Sequence, residues 1–232
     1  LLQQVSGVDL RRRGVPGTQA DLYIRGGGFD QTLLLIDGMK MDDIQTGHHT
    51  LNLLLPIQLI ERIEIIKGPA SRIFGQNAFN GAINIVTKAL PKSDKKLFEV
   101  MVSNPTFGSF KQFGFLINSR LLLKEKFNAQ LTFSRSKSDG YRYNTDYSND
   151  FFFFKSQIKT KKNPINITSG FTEKKFGANG FYASPSAVDQ YEETQASFVG
   201  ISTVFGSEKL LIRPKLYWRR GQDEYIYIRN TD

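Results

Sequence analysis

The chain of 232 residues has no cysteine, only three methionines, one tryptophan and two histidines. Without cysteine it has no disulfide staples, no thiolate metal site and no cysteine nucleophile. No stretch reaches the 18 or so uninterrupted apolar residues of a membrane-spanning helix. Proline is sparse at eight, and the 40% hydrophobic and 23% charged composition excludes collagen, coiled coil and a wholly disordered tail. The opening Leu1-Leu2-Gln3-Gln4-Val5 carries neither an initiator Met nor a basic leader, so the expectation is that a native N-terminus precedes it. No repeat of solenoid or propeller spacing is present.

What is present divides unevenly. Residues 1–94 hold ten Lys/Arg and nine Asp/Glu, leaving +8 of the net +9 charge to residues 95–232. Four of the 29 aromatics fall in the first segment and 25 in the second. Residues 88–96, with Pro91 and clustered charge, read as the boundary, because neither continues a strand nor packs into a core. Beyond it, Phe127, Ala129, Leu131 and Phe133 alternate with polar residues, as do Phe113, Phe115 and Ile117. Ile165, Ile167 and Phe171 do the same, and so do Leu210, Ile212, Pro214, Leu216 and Trp218. A period of two gives strands with one apolar and one wet face. A sandwich would bury the apolar faces against each other; a membrane barrel would turn them to lipid. Runs of about ten residues favour the barrel, as do Tyr141, Tyr143, Tyr147, Tyr217, Trp218 and Tyr225 near expected strand ends. So does the alternation of short connections at 120–126, 161–164 and 206–208 with long ones at 138–149 and 177–191. The pattern alone leaves both architectures open.

The first segment reads as mixed α/β. Short strands are expected at 22–25, 33–36, 62–66 and 83–86, with a turn at Asp37-Gly38 and a helical turn at 57–61 after Pro56. Gly26-Gly27-Gly28 lacks the spacing and helix start of a phosphate cradle, and Gly38, Gly68, Gly75 and Gly81 read as tight-turn residues. Three stretches then spell a longer pattern: Ile24-Arg25-Gly26-Gly27-Gly28 with Gln31 through Gly38; Ile60 through Ser71 with Phe74-Gly75; and Gly81 through Lys88. In that order they resemble the plug domain of TonB-dependent outer-membrane receptors. Residues 134–142 and 176–182 are similar to loop-flanking motifs of the family's vitamin B12 and siderophore receptors.

The resemblance implies an α+β plug domain over residues 1–88, a linker at 89–96, and antiparallel strands of an incomplete transmembrane β-barrel over 97–232. About seven of the family's roughly 22 strands would be present, with no leader and no TonB contact box. It implies a non-enzymatic importer in the outer membrane of a Gram-negative bacterium. Its partners would be TonB, outer-membrane lipid and a corrinoid or metal-chelate ligand, for a monomer served in some cases by an accessory surface lipoprotein. No nucleic acid and no resident cofactor are expected, although Asp139, Asp146 and Asp150 are candidates for calcium in the outer loops. They lack the spacing of a calcium loop. Apical plug loops would lie at 13–20 and 41–51, offering Thr18, Gln19, Asp42, Gln45, His48 and His49. Barrel loops facing outside would offer Tyr141, Arg142, Asn144, Asn179, Phe181, Tyr182, Asp189 and Gln190, and the C-terminal 221–232 would add Asp223 and Tyr225. Arg25, Arg62 and Glu64 would form ion pairs between plug and barrel. Adjacent histidines point to opposite sides of an extended chain, and with no third histidine or cysteine the pair is not expected to bind metal. A glycan importer of the same superfamily and a soluble, basic nucleic-acid-binding β-protein are the alternatives.

Overall fold

The structure is a computed structural model that describes residues 2–15, 17–43, 45–90, 97–107, 110–123, 126–182, 184–207 and 209–229. Most of the expected linker, residues 91–96, lies outside them. The N-terminal domain begins with β1 (Val8–Arg12) and β2 (Ala20–Ile24), an antiparallel pair. It continues through β3 (Thr32–Ile36), β4 (Met39–Lys40), β5 (Ile60–Lys67), the short α1 (Ser71–Phe74) and β6 (Gly81–Thr87). The last four strands form one sheet in the order β4-β3-β6-β5, with β3 and β6 parallel. All five residues of β3 are buried, which is why this strand is a continuous apolar run rather than an alternating one. Asp37 and Gly38 both take positive φ, 49° and 74°, the backbone that a two-residue hairpin turn needs. The Asp37 carboxylate then accepts from the Thr87 hydroxyl at 2.6 Å and its N–H at 2.9 Å, tying the turn to the end of β6. Pro56 is followed by a single 3-10 turn, Ile57–Leu59. Gly81 is not a turn residue: it opens β6, where a Cβ would stand 2.3 Å from the Ile66 carbonyl oxygen.

The second domain is one antiparallel sheet. Its strands are β7 (Leu97–Ser103), β8 (Thr106–Phe107), β9 (Phe110–Leu123), β10 (Phe127–Gly140), β11 (Tyr147–Ile158), β12 (Ile165–Gly177) and β13 (Tyr191–Thr203), then a small hairpin and a final long strand. The hairpin pairs β14 (Phe205–Ser207) with β15 (Leu210–Ile212), and the last strand is β16 (Lys215–Ile226). The order is β16-β13-β12-β11-β10-β9-β7, with β8 pairing only the start of β9, and the sheet is not closed. Three expectations about connections are corrected. The loop placed at 138–149 shrinks to 141–146 because β10 and β11 run on in register to Ser138 and Tyr147. The short turn placed at 206–208 is the β14–β15 hairpin, and the strand placed across Leu210–Trp218 breaks before Lys215, since Pro214 has no N–H to give a ladder. The segment 221–232, read as an outer loop, stays in β16 as far as Ile226.

The two faces of this sheet decide between the architectures. Phe113, Leu131, Phe133, Phe152, Phe171, Val199, Ile201, Leu216 and Trp218 are exposed on one face. On the other, Asn118, Gln130, Thr132, Asn149, Thr168, Thr172, Lys174, Glu192 and Thr194 are buried. Gln130 and Thr132 donate to Asn118 Oδ1 at 3.1 and 3.0 Å, so neighbouring strands satisfy one another's polar side chains. The N-terminal domain packs against this polar face. Apolar residues interrupt it, and among them Phe153, Ala196 and Phe198 join Ile24, Met39, Leu54 and Leu55 in the shared core. Two glycines permit the approach: a Cβ on Gly170 would lie 2.5 Å from the Leu54 carbonyl oxygen, and one on Gly200 would lie 2.1 Å from Met39 Sδ. An apolar outside and a polar, domain-filled inside is the arrangement of a barrel wall in lipid and the reverse of a sandwich. Tyr147, expected in an interfacial girdle, lies instead on the inner face, buried against Phe176 and Phe181.

Candidate ligand-binding site at the domain junction

Two loops of the N-terminal domain meet at one end of the sheet. Buried Asp21 organises them: it accepts from Gln19 Nε2 at 2.7 Å and Arg13 Nη2 at 3.5 Å, and His48 Nδ1 lies 3.0 Å away. Asp43 folds the second loop by accepting the N–H groups of Gln45, Thr46 and His49, each at 3.3 Å, and the Thr46 hydroxyl at 2.9 Å. Burial would raise the Asp43 pKa, but these bonds outweigh it and hold it below the usual carboxylate range. Burial wins at Asp42, whose pKa is raised.

The adjacent histidines do point apart. His48 stacks on Phe29 with ring centroids 4.3 Å apart. His49 reaches across to the sheet, its Nε2 2.9 Å from Glu192 Oε1 on β13 and 3.4 Å from Asp223 Oδ2 on β16. The Tyr182 hydroxyl donates to the other Glu192 oxygen. Burial works to deprotonate His49, but its hydrogen bonds to Asp223 and Glu192 prevail and push its pKa up to about 9. At neutral pH this is a buried imidazolium between two carboxylates.

Further polar contacts flank it. Lys174 Nζ donates to Asn52 Oδ1 at 2.9 Å, and Asn52 donates to Thr194 Oγ1 at 3.1 Å. Asn149 donates to the Gly17 carbonyl at 2.9 Å, Arg219 to that of Asp42, and Arg13 to that of Phe181. Toward the opposite end, Lys155 pairs with Asp37 at 3.3 Å and Lys215 donates to the Asp37 carbonyl at 2.7 Å. The barrel partners expected for Arg25 and Arg62 would lie beyond residue 232, and the junction within the described residues is built differently. Cations of the sheet meet an aspartate and carbonyls of the N-terminal domain, which in return contributes Arg13 and His49. Arg62 and Glu64 pair with each other at 2.7 Å on exposed β5, because residues two apart on a strand share a face. Arg25 takes a positive φ of 50° and makes no ion pair among the described residues.

A cavity of about 340 Å³ is lined by Thr46, His48, His49, Tyr182, Glu192, Asp223 and Tyr225. A second, of about 250 Å³, shares His49 and Asp223 and adds Gln45, Asn52, Thr194 and Arg219. Of the expected contact residues, the structure thus brings together Gln45, His48, His49, Tyr182, Asp223 and Tyr225, while Asp42 lines a third hollow beside Phe29. The others are spent on internal contacts. Thr18 and Gln19 are buried beneath the loops. Arg142 donates to the Asn179 carbonyl, Asn179 to that of Tyr143, and Asn144 to those of Val188 and Gln190. Asp189 accepts from the Tyr143 hydroxyl, and Phe181 and Gln190 are buried. Tyr141 is exposed, with the Arg142 guanidinium 5.5 Å from its ring centre. Asp139, Asp146 and Asp150 are not brought together: Asp146 pairs with Arg229 and Asp150 with Arg135. Residues that the sequence reading missed include Asp43, Asn52, Lys174, Glu192, Thr194 and Arg219. Strand parity was the available signal, since Glu192, Thr194, Ala196 and Phe198 fall on one face once β13 is known to start at Tyr191.

Residues 1–82 match the family model described as the TonB-dependent receptor plug domain. A vitamin B12 transporter, BtuB, of Vibrio vulnificus strain YJ016 is 31% identical over 144 residues, covering 62% of this chain and 22% of that protein. Among solved structures, the unliganded ferric citrate transporter FecA superposes with a TM-score of 0.76 at 13% identity, covering 97% of this chain and 37% of that one. The siderophore receptor PirA of Pseudomonas aeruginosa gives a TM-score of 0.70 at 18% identity, covering 96% and 42%. At such identities the solved structures speak for the fold. The chain spans about a fifth of the length of that curated relative and about two fifths of the solved chains.

Proposed function

We propose that this chain, whose residues 1–82 match the plug domain of TonB-dependent receptors, serves active import across the outer membrane of a Gram-negative bacterium, carrying vitamin B12 or a ferric siderophore. Cargo would sit where the plug loops meet the barrel wall, against Tyr182, Tyr225, His48 and Gln45. Aromatic faces beside amide and charged groups suit a bulky amphipathic ligand such as a corrinoid or metal chelate. Energy from TonB would then move the plug. The observation that carries the reading is the inverted sheet, with its apolar face outward and the plug held on its polar inner face. Much of that junction is hydrogen bonds and ion pairs, which exchange for water at a small net cost each, on the order of 0.5–1.5 kcal/mol. Parting such a junction exposes, on the wall side, chiefly the apolar contact made by Phe153, Ala196 and Phe198.

The test is uptake in a strain lacking this receptor and complemented with it. TonB-dependent accumulation of labelled cyanocobalamin or of ferric siderophore supports the proposal and separates the two cargoes. Uptake of neither, or uptake that persists without TonB, overturns it.

A further inference from the structure

The geometry points to a divalent transition-metal site built by His49 of the plug together with Glu192 and Asp223 of the barrel wall, which ties the seated plug to two strands. One ligand atom from each of the three lies within 4.8 Å of the others. Ligands about 2.0–2.2 Å from a tetrahedral ion stand roughly 3.3–3.6 Å from one another. The separation of His49 Nε2 and Asp223 Oδ2, 3.4 Å, already meets that. The Glu192 contact at 2.9 Å has to open by roughly half an ångström.

Three further features fit an ion rather than an ordinary ion pair. Asp223 Oδ1 is buried without a hydrogen-bond partner among the described residues, so this carboxylate has an oxygen to spare. Tyr182 holds the far oxygen of Glu192, the kind of outer hydrogen bond that orients a ligating carboxylate. The three ligands leave a fourth position, and all three line the 340 Å³ cavity from which a water or cargo atom could fill it. An imidazole with two carboxylates suits zinc and its first-row neighbours, whereas calcium and magnesium prefer all-oxygen sets. On binding, the ion takes the place of the proton on His49 Nε2, which leaves to solvent. Because the ligands come from a plug loop and two different strands, the site is complete only when the plug is seated. This goes beyond the import proposal, and it stands or falls separately from it.

The experiment is zinc titration of the purified receptor in detergent, with calcium and magnesium as controls, repeated on His49→Gln, Asp223→Asn and Glu193→Gln. Glu193 neighbours Glu192 but faces the other side of β13. One zinc should bind, with affinity falling at least about tenfold in the first two variants and unchanged in the third, and with neither control ion competing. Since the variants could fail to fold, X-ray absorption on the zinc-loaded wild type provides a second reading. One imidazole nitrogen among oxygens at about 2.0–2.2 Å is expected. Affinity unchanged in both ligand variants, or a zinc shell without imidazole, would overturn the site.

Discussion

The plug and the barrel wall use the same few apolar residue types toward opposite ends. In the plug, Leu33, Leu34, Leu35, Ile36, Ile83 and Ile85 are fully or almost fully buried, and charges such as Arg62 and Glu64 face out. In the wall, Leu131, Phe133, Phe152 and Trp218 face out, and Lys174, Glu192 and Thr194 face in. The difference teaches that alternation fixes which residues share a face, while the surrounding medium fixes which face is inside. Where the two domains meet, each presents polar groups as well as apolar ones, and the contact is held by pairs such as Lys174–Asn52 and His49–Glu192.

Substitutions can break this contrast. The largest effect is expected at His49, where His49→Leu leaves Glu192 and Asp223 buried without their cation. Loss of one partner of such a group costs about 3–5 kcal/mol, read as a lower urea midpoint for plug protection from protease. On the wall, Phe133→Lys puts a charge on the lipid side and should cost about 2–4 kcal/mol near the bilayer middle, measured by folding titrations in vesicles. Gly200→Leu overpacks the wall against Met39, at about 1–3 kcal/mol. A paired Met39→Ala should restore plug protection if the steric account is right. The smallest effect is expected for Arg62→Ala, whose partner lies on the same exposed strand. Plug protection and uptake should not change.

The His49 contact also has a pH signature, observed with a chelator present. Its pKa is raised from 6.5 to about 9. The stabilisation is therefore complete below pH 6.5 and is lost as pH rises through about 9. Protease protection of the plug should weaken across that window in wild type and stay flat in His49→Gln.

Much of the fold was legible in the sequence. Leu33-Leu34-Leu35-Ile36 announced a short strand, and Asp37-Gly38 announced its turn. The odd-numbered apolar positions of 127–133 announced a two-faced strand, although its alternation alone was silent on which side meets lipid. The site was less legible. His49 is remote in sequence from Glu192 and Asp223, and they meet only through the register of β13 with β16, which pairs Thr194 with Asp223. Loop residues with attractive chemistry, such as Asn144 and Asn179, donate to backbone carbonyls, because amides in loops cap backbone groups as readily as they bind ligands.

The chain's lack of cysteine permits the most direct test, single-cysteine spin labelling along β10 in lipid vesicles. Labels at 131, 133 and 135 should collide with lipid-dissolved oxygen, and labels at 130, 132 and 134 should be shielded from it by the plug. The same oxygen accessibility at odd and even positions, or the opposite parity, would contradict the account.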